Sequence, residues 1–283
     1  MLGAFVTTVA AWCFTTMAIA VLLIAPCRRL QFCSAKPWYV AYSIGYMIPT
    51  IGCCYYAVCG RTDWIMQLPT TLNERMYVHD DAAEQIALIQ ISLQIYATLA
   101  AIVSGDKNLA KPEMFAHRAS TGKRTRALCI SPRPVTSRLR SLVRADSITL
   151  VGMLICLNPL GQSYCGAFFG LTEFSTIPLI VTDTIKQYKG LNLQYPKTDL
   201  IAKTLFGLSF LAFRIGLTLP LSYCFQRDLY ALYATGTAHS VPAVAFSSLA
   251  NVFVCGLQCF WSTLIIKGLG KVLSGGKAKA KGS

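Results

Sequence analysis

Long uncharged stretches divide this chain, and their length decides what they are. Residues 3–25, 38–59, 85–105 and 240–266 contain no Asp, Glu, Lys or Arg, and residues 204–226 contain only Arg214. A helix needs about 20 apolar residues to cross a bilayer, where no water satisfies its backbone. Each stretch therefore predicts one crossing. Residues 147–185 carry only Glu173 and Asp183, and the run is too long for a single crossing. Asn158-Pro159-Leu160-Gly161 is a turn signal inside it, so it predicts a hairpin of two helices, the first one short. The pattern reads as all-α: a multi-pass transmembrane helix bundle of about seven spans.

Charge supplies the orientation. Residues 117–144 hold eight basic residues and no acid, and 267–283 hold five and none. Loop 26–37 carries Arg28, Arg29 and Lys36, and loop 186–203 carries four lysines against Asp199. Loop 60–84 is net acidic. Cytoplasmic loops are enriched in Lys and Arg. Seven spans put 22 of the 26 basic residues on the cytosolic side, whereas six would split two basic loops across the membrane. The N-terminus is then lumenal and the C-terminus cytosolic. Residues 1–25 lack a basic leader and run longer than a signal-peptide core, so they read as an uncleaved span. The chain divides into 1–37 (first span and basic loop), a membrane domain over 38–270 with the basic cytosolic loop 118–146, and a basic tail over 271–283.

Composition narrows the class further. The chain has 283 residues, 54% hydrophobic and 13% charged, with mean hydropathy +0.50 and net charge +14. These values exclude a disordered chain, a secreted disulfide scaffold and an ordinary cytosolic enzyme. Most of the twelve cysteines fall in or beside spans, where they act as small apolar residues. The basic loop has no interleaved aromatic residues, so it reads as a topology determinant that contacts anionic headgroups and not nucleic acid. Lys279 and Lys281, fifth and third from the end, resemble a dilysine retrieval signal of the endoplasmic reticulum. A solvated basic tail explains them equally well.

Ionisable groups inside a bilayer are functional candidates by default. Here they are Glu173, Asp183 and Arg214, with Asp106 and His117 at the cytosolic end of the third span. Glu173 and Arg214 are expected to pair or to share a polar cavity. Gln90 and Gln94 share one helix face, as do Tyr42 and Tyr46, and together they are candidates to wall a polar-lined pocket. His79-Asp80-Asp81-x-x-Glu84 has metal-like residues, but it begins a helix, where acids favour the positive dipole end. No metal is assigned.

Four patches in order carry a family resemblance. Leu171-Thr172-Glu173-Phe174-Ser175-Thr176-Ile177-Pro178 resembles the Glu-x-Ser-Thr/Ser-Pro patch of TLC-domain proteins. Asp106 with His117 resembles the family's Asp before a His pair. Leu208-Ser209-Phe210-Leu211-Ala212-Phe213-Arg214 resembles the penultimate span with its Arg. Leu257-Gln258-Cys259-Phe260-Trp261, running on to Lys267, resembles the last span. The resemblance implies helices around a lipid-accessible cavity. In ceramide synthases, which share the domain, paired His and Asp residues serve acyl transfer from acyl-CoA to a sphingoid amine. Here Ala116 and Arg118 flank His117, leaving one His, and no His-Asp-x-x-Asp follows.

The expected function is therefore lipid homeostasis in the endoplasmic reticulum: sensing, binding, transport or regulation of sphingolipid or phospholipid composition. The cavity residues would be Glu173, Arg214, Asp183, Gln90, Gln94 and Tyr46. The alternative is a ceramide-synthase-type N-acyltransferase, with His117 as base, Asp106 orienting it and acyl-CoA as co-substrate. Otherwise no cofactor is implied. Membrane lipids are the expected partners, and homo-oligomerisation stays open. A transporter is disfavoured because no inverted repeat is visible.

Overall fold

The computed structural model describes residues 2–29, 37–60, 71–104, 157, 160–188 and 191–278. Its helices are α1 (Leu2–Arg29), α2 (Pro37–Cys59), α3 (Leu72–Tyr77), α4 (Asp81–Ser104), α5 (Gln162–Gln187), α6 (Leu191–Gln194), α7 (Pro196–Ala234) and α8 (Val241–Ala278). Four of them contain stretches long and apolar enough to cross a membrane: Val6–Arg29, Gln162–Gln187, Pro196–Ala234 and Val241–Gly270. The protein is an all-α helix bundle embedded in the membrane.

α2 and α4 occupy the middle. Ile86, Ala87, Ile89, Leu93 and Tyr96 of α4 are essentially inaccessible. α1 packs against α2 and α4, α5 packs across both, and α7 and α8 follow on the far side of α5. Large apolar side chains on the outer helices point outwards, among them Leu22, Leu208, Leu249 and Phe253. Such a surface suits hydrocarbon and not water.

Contacts fix the direction of each helix. Gly52 lies against Trp12 and Ile89, and Gly45 against Ala20 and Tyr96. α2 therefore runs antiparallel to α1 and α4. Gln162 meets Asp80, and Glu173 meets Gln90, so α4 and α5 run in the same direction. Arg214 meets Ser175, and Tyr164 meets Asp228, so α7 runs back. Asn251 meets Ser222, so α8 reverses again. One end of the bundle thus gathers the start of α4, α5 and α8 with α3. The other gathers Arg29, Gln187 and the start of α7. Because α4 and α5 are parallel, the chain leaves α4 at one end and re-enters α5 at the other.

Helix ends follow local chemistry. Thr71 accepts a hydrogen bond from the Glu74 N–H and starts α3. Asp80 Oδ1 accepts from Ala82 N (2.9 Å) and Ala83 N (3.2 Å) and starts α4, while Gln162 Oε1 accepts the Asp80 N–H. The helix start read in His79–Glu84 is thus capped by Asp80. Gly161, just before α5, adopts φ +71°, and its N–H donates to Met76 O. Asn158 and Pro159 lie outside the described residues.

Helices extend past the apolar runs that announce them. α7 spans 196–234 instead of 204–226, and α8 starts on schedule but continues to Ala278. The added turn at the start of α7 carries Asp199 paired with Lys203 one turn on. The added turns at its end carry Asp228, which is neutralised by Arg75. Charge ends an apolar run without ending a helix, provided that a partner is within reach. Similarly, the expected loop 60–84 contains α3.

α5 and α7 are not uniform. α5 opens with an α turn, widens to a π stretch over Gly166–Gly170, tightens to 3-10 over Leu171–Ser175, and resumes as α from Thr176. α7 is π over Phe210–Leu217. Thr218 Oγ1 donates to Phe213 O, five residues back (2.8 Å), a carbonyl that also accepts the Thr218 N–H.

Candidate functional site

Three helices direct polar groups to one interior strip. Gln90, on the buried face of α4, donates through Nε2 to Glu173 Oε1 and to Phe169 O, each at 3.1 Å. Glu173 stands in the 3-10 segment of α5. A turn on, Ser175 and Thr176 receive Arg214 from α7: Nε donates to Ser175 Oγ (2.8 Å) and Nη2 to Thr176 Oγ1 (3.1 Å). The guanidinium carbon also lies 5.6 Å from the Phe210 ring centre. Both charges thus reach the same short segment of α5, Glu173–Thr176. Arg214 directs its donors to hydroxyls, and Glu173 accepts from an amide. Every group on the strip sits beside an irregular turn, where widened or tightened winding re-aims side chains.

Other expected cavity residues lie apart from this strip. Asp183 is two to three turns further along α5 and accepts from Lys186 (3.5 Å). Tyr46 belongs to an apolar cluster with Tyr42, Leu93 and Tyr96, where Tyr42 and Tyr96 stack at 5.2 Å. Gln94 is half-buried one turn beyond Gln90. Asp106, His117, the basic loop 118–146, Lys279 and Lys281 lie outside the described residues. His79, Asp81 and Glu84 converge within 4.8 Å on the exposed side of the α4 start. Their contacts are those of a surface ion-pair cluster.

Two features were not legible in the sequence. The first is a buried charge cluster. Arg75 donates from Nε to Asp228 Oδ2 (2.6 Å) and from Nη2 to Oδ1 (3.0 Å). Tyr164 donates to the same Oδ2 (2.6 Å). Asp228 is 1% exposed. Its hydrogen bonds raise the Arg75 pKa above the ordinary value. In the sequence, Arg227-Asp228 looks like an ordinary loop pair at the edge of the uncharged run Leu229-Tyr230-Ala231-Leu232-Tyr233. The second is a pocket between α5, α7 and α8, of about 120 Å³. Its walls include Phe168, Thr172, Thr218, Phe225, Val254 and Gln258.

A bundle of this length and apolarity, with a polar interior strip, defines an integral membrane protein that meets lipid on its outer face. Residues 146–267 match the TLC domain family. That match includes three of the four patches on which the resemblance rests, and Asp106 with His117 precedes it. Neither a curated protein nor a solved structure matches the chain.

Proposed function

We propose that this protein binds membrane lipid within its TLC domain and regulates lipid composition in the endoplasmic reticulum. The observation that carries the reading is the strip Gln90–Glu173 beside Ser175, Thr176 and Arg214. Placing two charged groups and an amide inside an apolar bundle costs free energy that packing alone does not require. A polar lipid headgroup is a ligand that rewards that arrangement. Cationic Arg214 suits a phosphate or carbonyl oxygen, and anionic Glu173 suits an amine or hydroxyl.

The topology supports the same reading. The end bearing Arg28, Arg29, Lys186 and Lys203 is assigned to the cytosol, and the end bearing Glu74, Asp80, Asp81 and Glu84 to the lumen. The parallel α4 and α5 need a return passage between them, which agrees with seven crossings. The N-acyltransferase alternative depends on His117 and Asp106.

Lipid extraction and mass spectrometry of the purified protein test the proposal. Wild-type protein should retain a polar lipid in defined ratio, and Glu173→Gln and Arg214→Ala should each reduce it several-fold. Full retention in both variants rejects the strip as the binding site.

A further inference from the structure

The pocket between α5, α7 and α8 contains none of the strip residues Gln90, Glu173, Ser175, Thr176 or Arg214. It is a second place, with its own chemistry. Phe168, Phe225 and Val254 give it an apolar wall. Gln258 enters from α8 and is 6% exposed. Among the described residues, its Oε1 is buried with no hydrogen-bond partner. A buried acceptor without its hydrogen bond is costly, so a partner arriving from outside the protein is favoured.

The neighbouring polar groups show what that partner is. Thr172 Oγ1 donates to Phe168 O, and Thr218 Oγ1 donates to Phe213 O. With their protons committed to the backbone, both hydroxyls offer only lone pairs to the pocket. Gln258 Oε1 is also an acceptor. Of the other polar lining residues, Asn251 donates through Nδ2 to Ser222 O, and Ser247 adds a hydroxyl; the unpartnered Gln258 Oε1 and the two committed hydroxyls therefore call for a hydrogen-bond donor. No charged side chain lines the pocket, so a carboxylate or phosphate would find no cation there.

Size limits the guest. A cavity of about 150 Å³ holds a benzene-sized molecule, so about 120 Å³ encloses only the end of a lipid. The rest must leave through the wall. Val254, which lines the pocket, is 41% exposed on the outer face of α8. A chain passing there would continue directly into bilayer hydrocarbon.

We infer that this pocket binds the hydroxyl terminus of a neutral lipid, with Gln258 Oε1 accepting from the hydroxyl and the apolar body leaving past Val254. The inference does not depend on the strip: none of the strip's polar side chains lines the pocket, and only Phe169, whose carbonyl accepts from Gln90, borders both.

The test uses the full chain in phosphatidylcholine nanodiscs. The probe is hexadecanol carrying a diazirine near the hydroxyl, competed with unlabelled hexadecanol, its methyl ether and palmitate at neutral pH. Crosslinks should map to α5, α7 and α8 around Phe225 and Val254. The alcohol should compete about tenfold better than the ether, the worth of one hydrogen bond, and palmitate should compete poorly. Gln258→Leu keeps the volume and should erase the preference while retaining the crosslink. Ala250→Phe should fill the pocket and remove the crosslink. Equal competition by alcohol and ether in the wild-type protein overturns the inference, whether or not either variant folds. Crosslinking that persists in folded Ala250→Phe does so too. Loss of bound lipid in Glu173→Gln with this alcohol preference intact would separate the two sites.

Discussion

Arg75 and Asp228, 153 residues apart in sequence, form a two-pronged ion pair that ties the short helix α3 to the end of α7. Tyr164 of α5 closes the cluster from the other side. Three elements are thus joined by one carboxylate that is almost fully buried. Removing the carboxylate leaves two donors without their acceptor, and removing Arg75 leaves the buried charge only the longer contact to the exposed Arg227, at 3.6 Å. Asp228→Ala and Arg75→Ala should each destabilise the protein by about 3–5 kcal/mol. Tyr164→Phe should do less, about 1.5–3 kcal/mol, because Arg75 still neutralises the carboxylate. Thermal unfolding in detergent would order the three. A Tyr164→Phe loss equal to that of Asp228→Ala would contradict the assignment of the pair as the main contact.

Arg214 holds two hydroxyls at once, and a lysine has no second prong at the same reach. Arg214→Lys should retain the charge yet lose one of the contacts to Ser175 and Thr176. The expected loss is about 1–2 kcal/mol. A Ser175→Ala background should absorb part of it. Double-mutant unfolding measures the coupling, and purely additive losses would argue against the contact.

Glycine at 161 and at 170 is required for different reasons. At Gly161 the backbone is left-handed, and a Cβ would stand 2.7 Å from Phe225 Cε2. At Gly170 the backbone is ordinary, but a Cβ would run into the Ala57 methyl where α5 crosses α2. Gly161→Ala should cost about 1–2 kcal/mol for the backbone alone, before the ring has to move. Gly170→Val should cost about 1–3 kcal/mol by overpacking. Gly170→Val is predicted to recover partly when combined with Ala57→Gly, and Gly161→Ala is not. Unfolding midpoints of the four proteins decide it.

Orientation can be read with a glycosylation tag, because the chain has no Asn-x-Ser/Thr of its own. An acceptor flanked by Gly and Ser, inserted after Gly236, should be modified in microsomes. The same insert after Tyr195 should not. A shift in mass only for the second insert would invert the proposed topology.

The reach of the sequence was uneven for physical reasons. Apolar runs announced the long helices because bilayer thickness sets a length that composition must meet. Their ends were misjudged at α7, because Asp199 and Asp228 look like loop residues until Lys203 and Arg75 are seen beside them. Glu173 and Arg214 stood out because charge within an apolar run is conspicuous. That Arg214 would settle on Ser175 and Thr176 was not legible, since it depends on how α5 and α7 are wound where they meet. Gln258 was visible only as one letter in a resemblance patch. Its lack of a partner is a property of three-dimensional packing, which periodicity does not carry.

The widened turns of α5 and α7 bear on how these helices tolerate length change. A π stretch holds more residues per turn than the α-helix on either side, so it sets the angular phase between them. Losing one residue within 210–217 would let regular winding resume with the flanking turns close to their present phase, whereas losing one from the regular turns between Leu219 and Arg227 would swing the end of α7 by about 100° about the axis. Asp228 would then face away from Arg75, even though no polar residue of the cluster had been altered. For these two helices, spacing is as much a part of the site as chemistry.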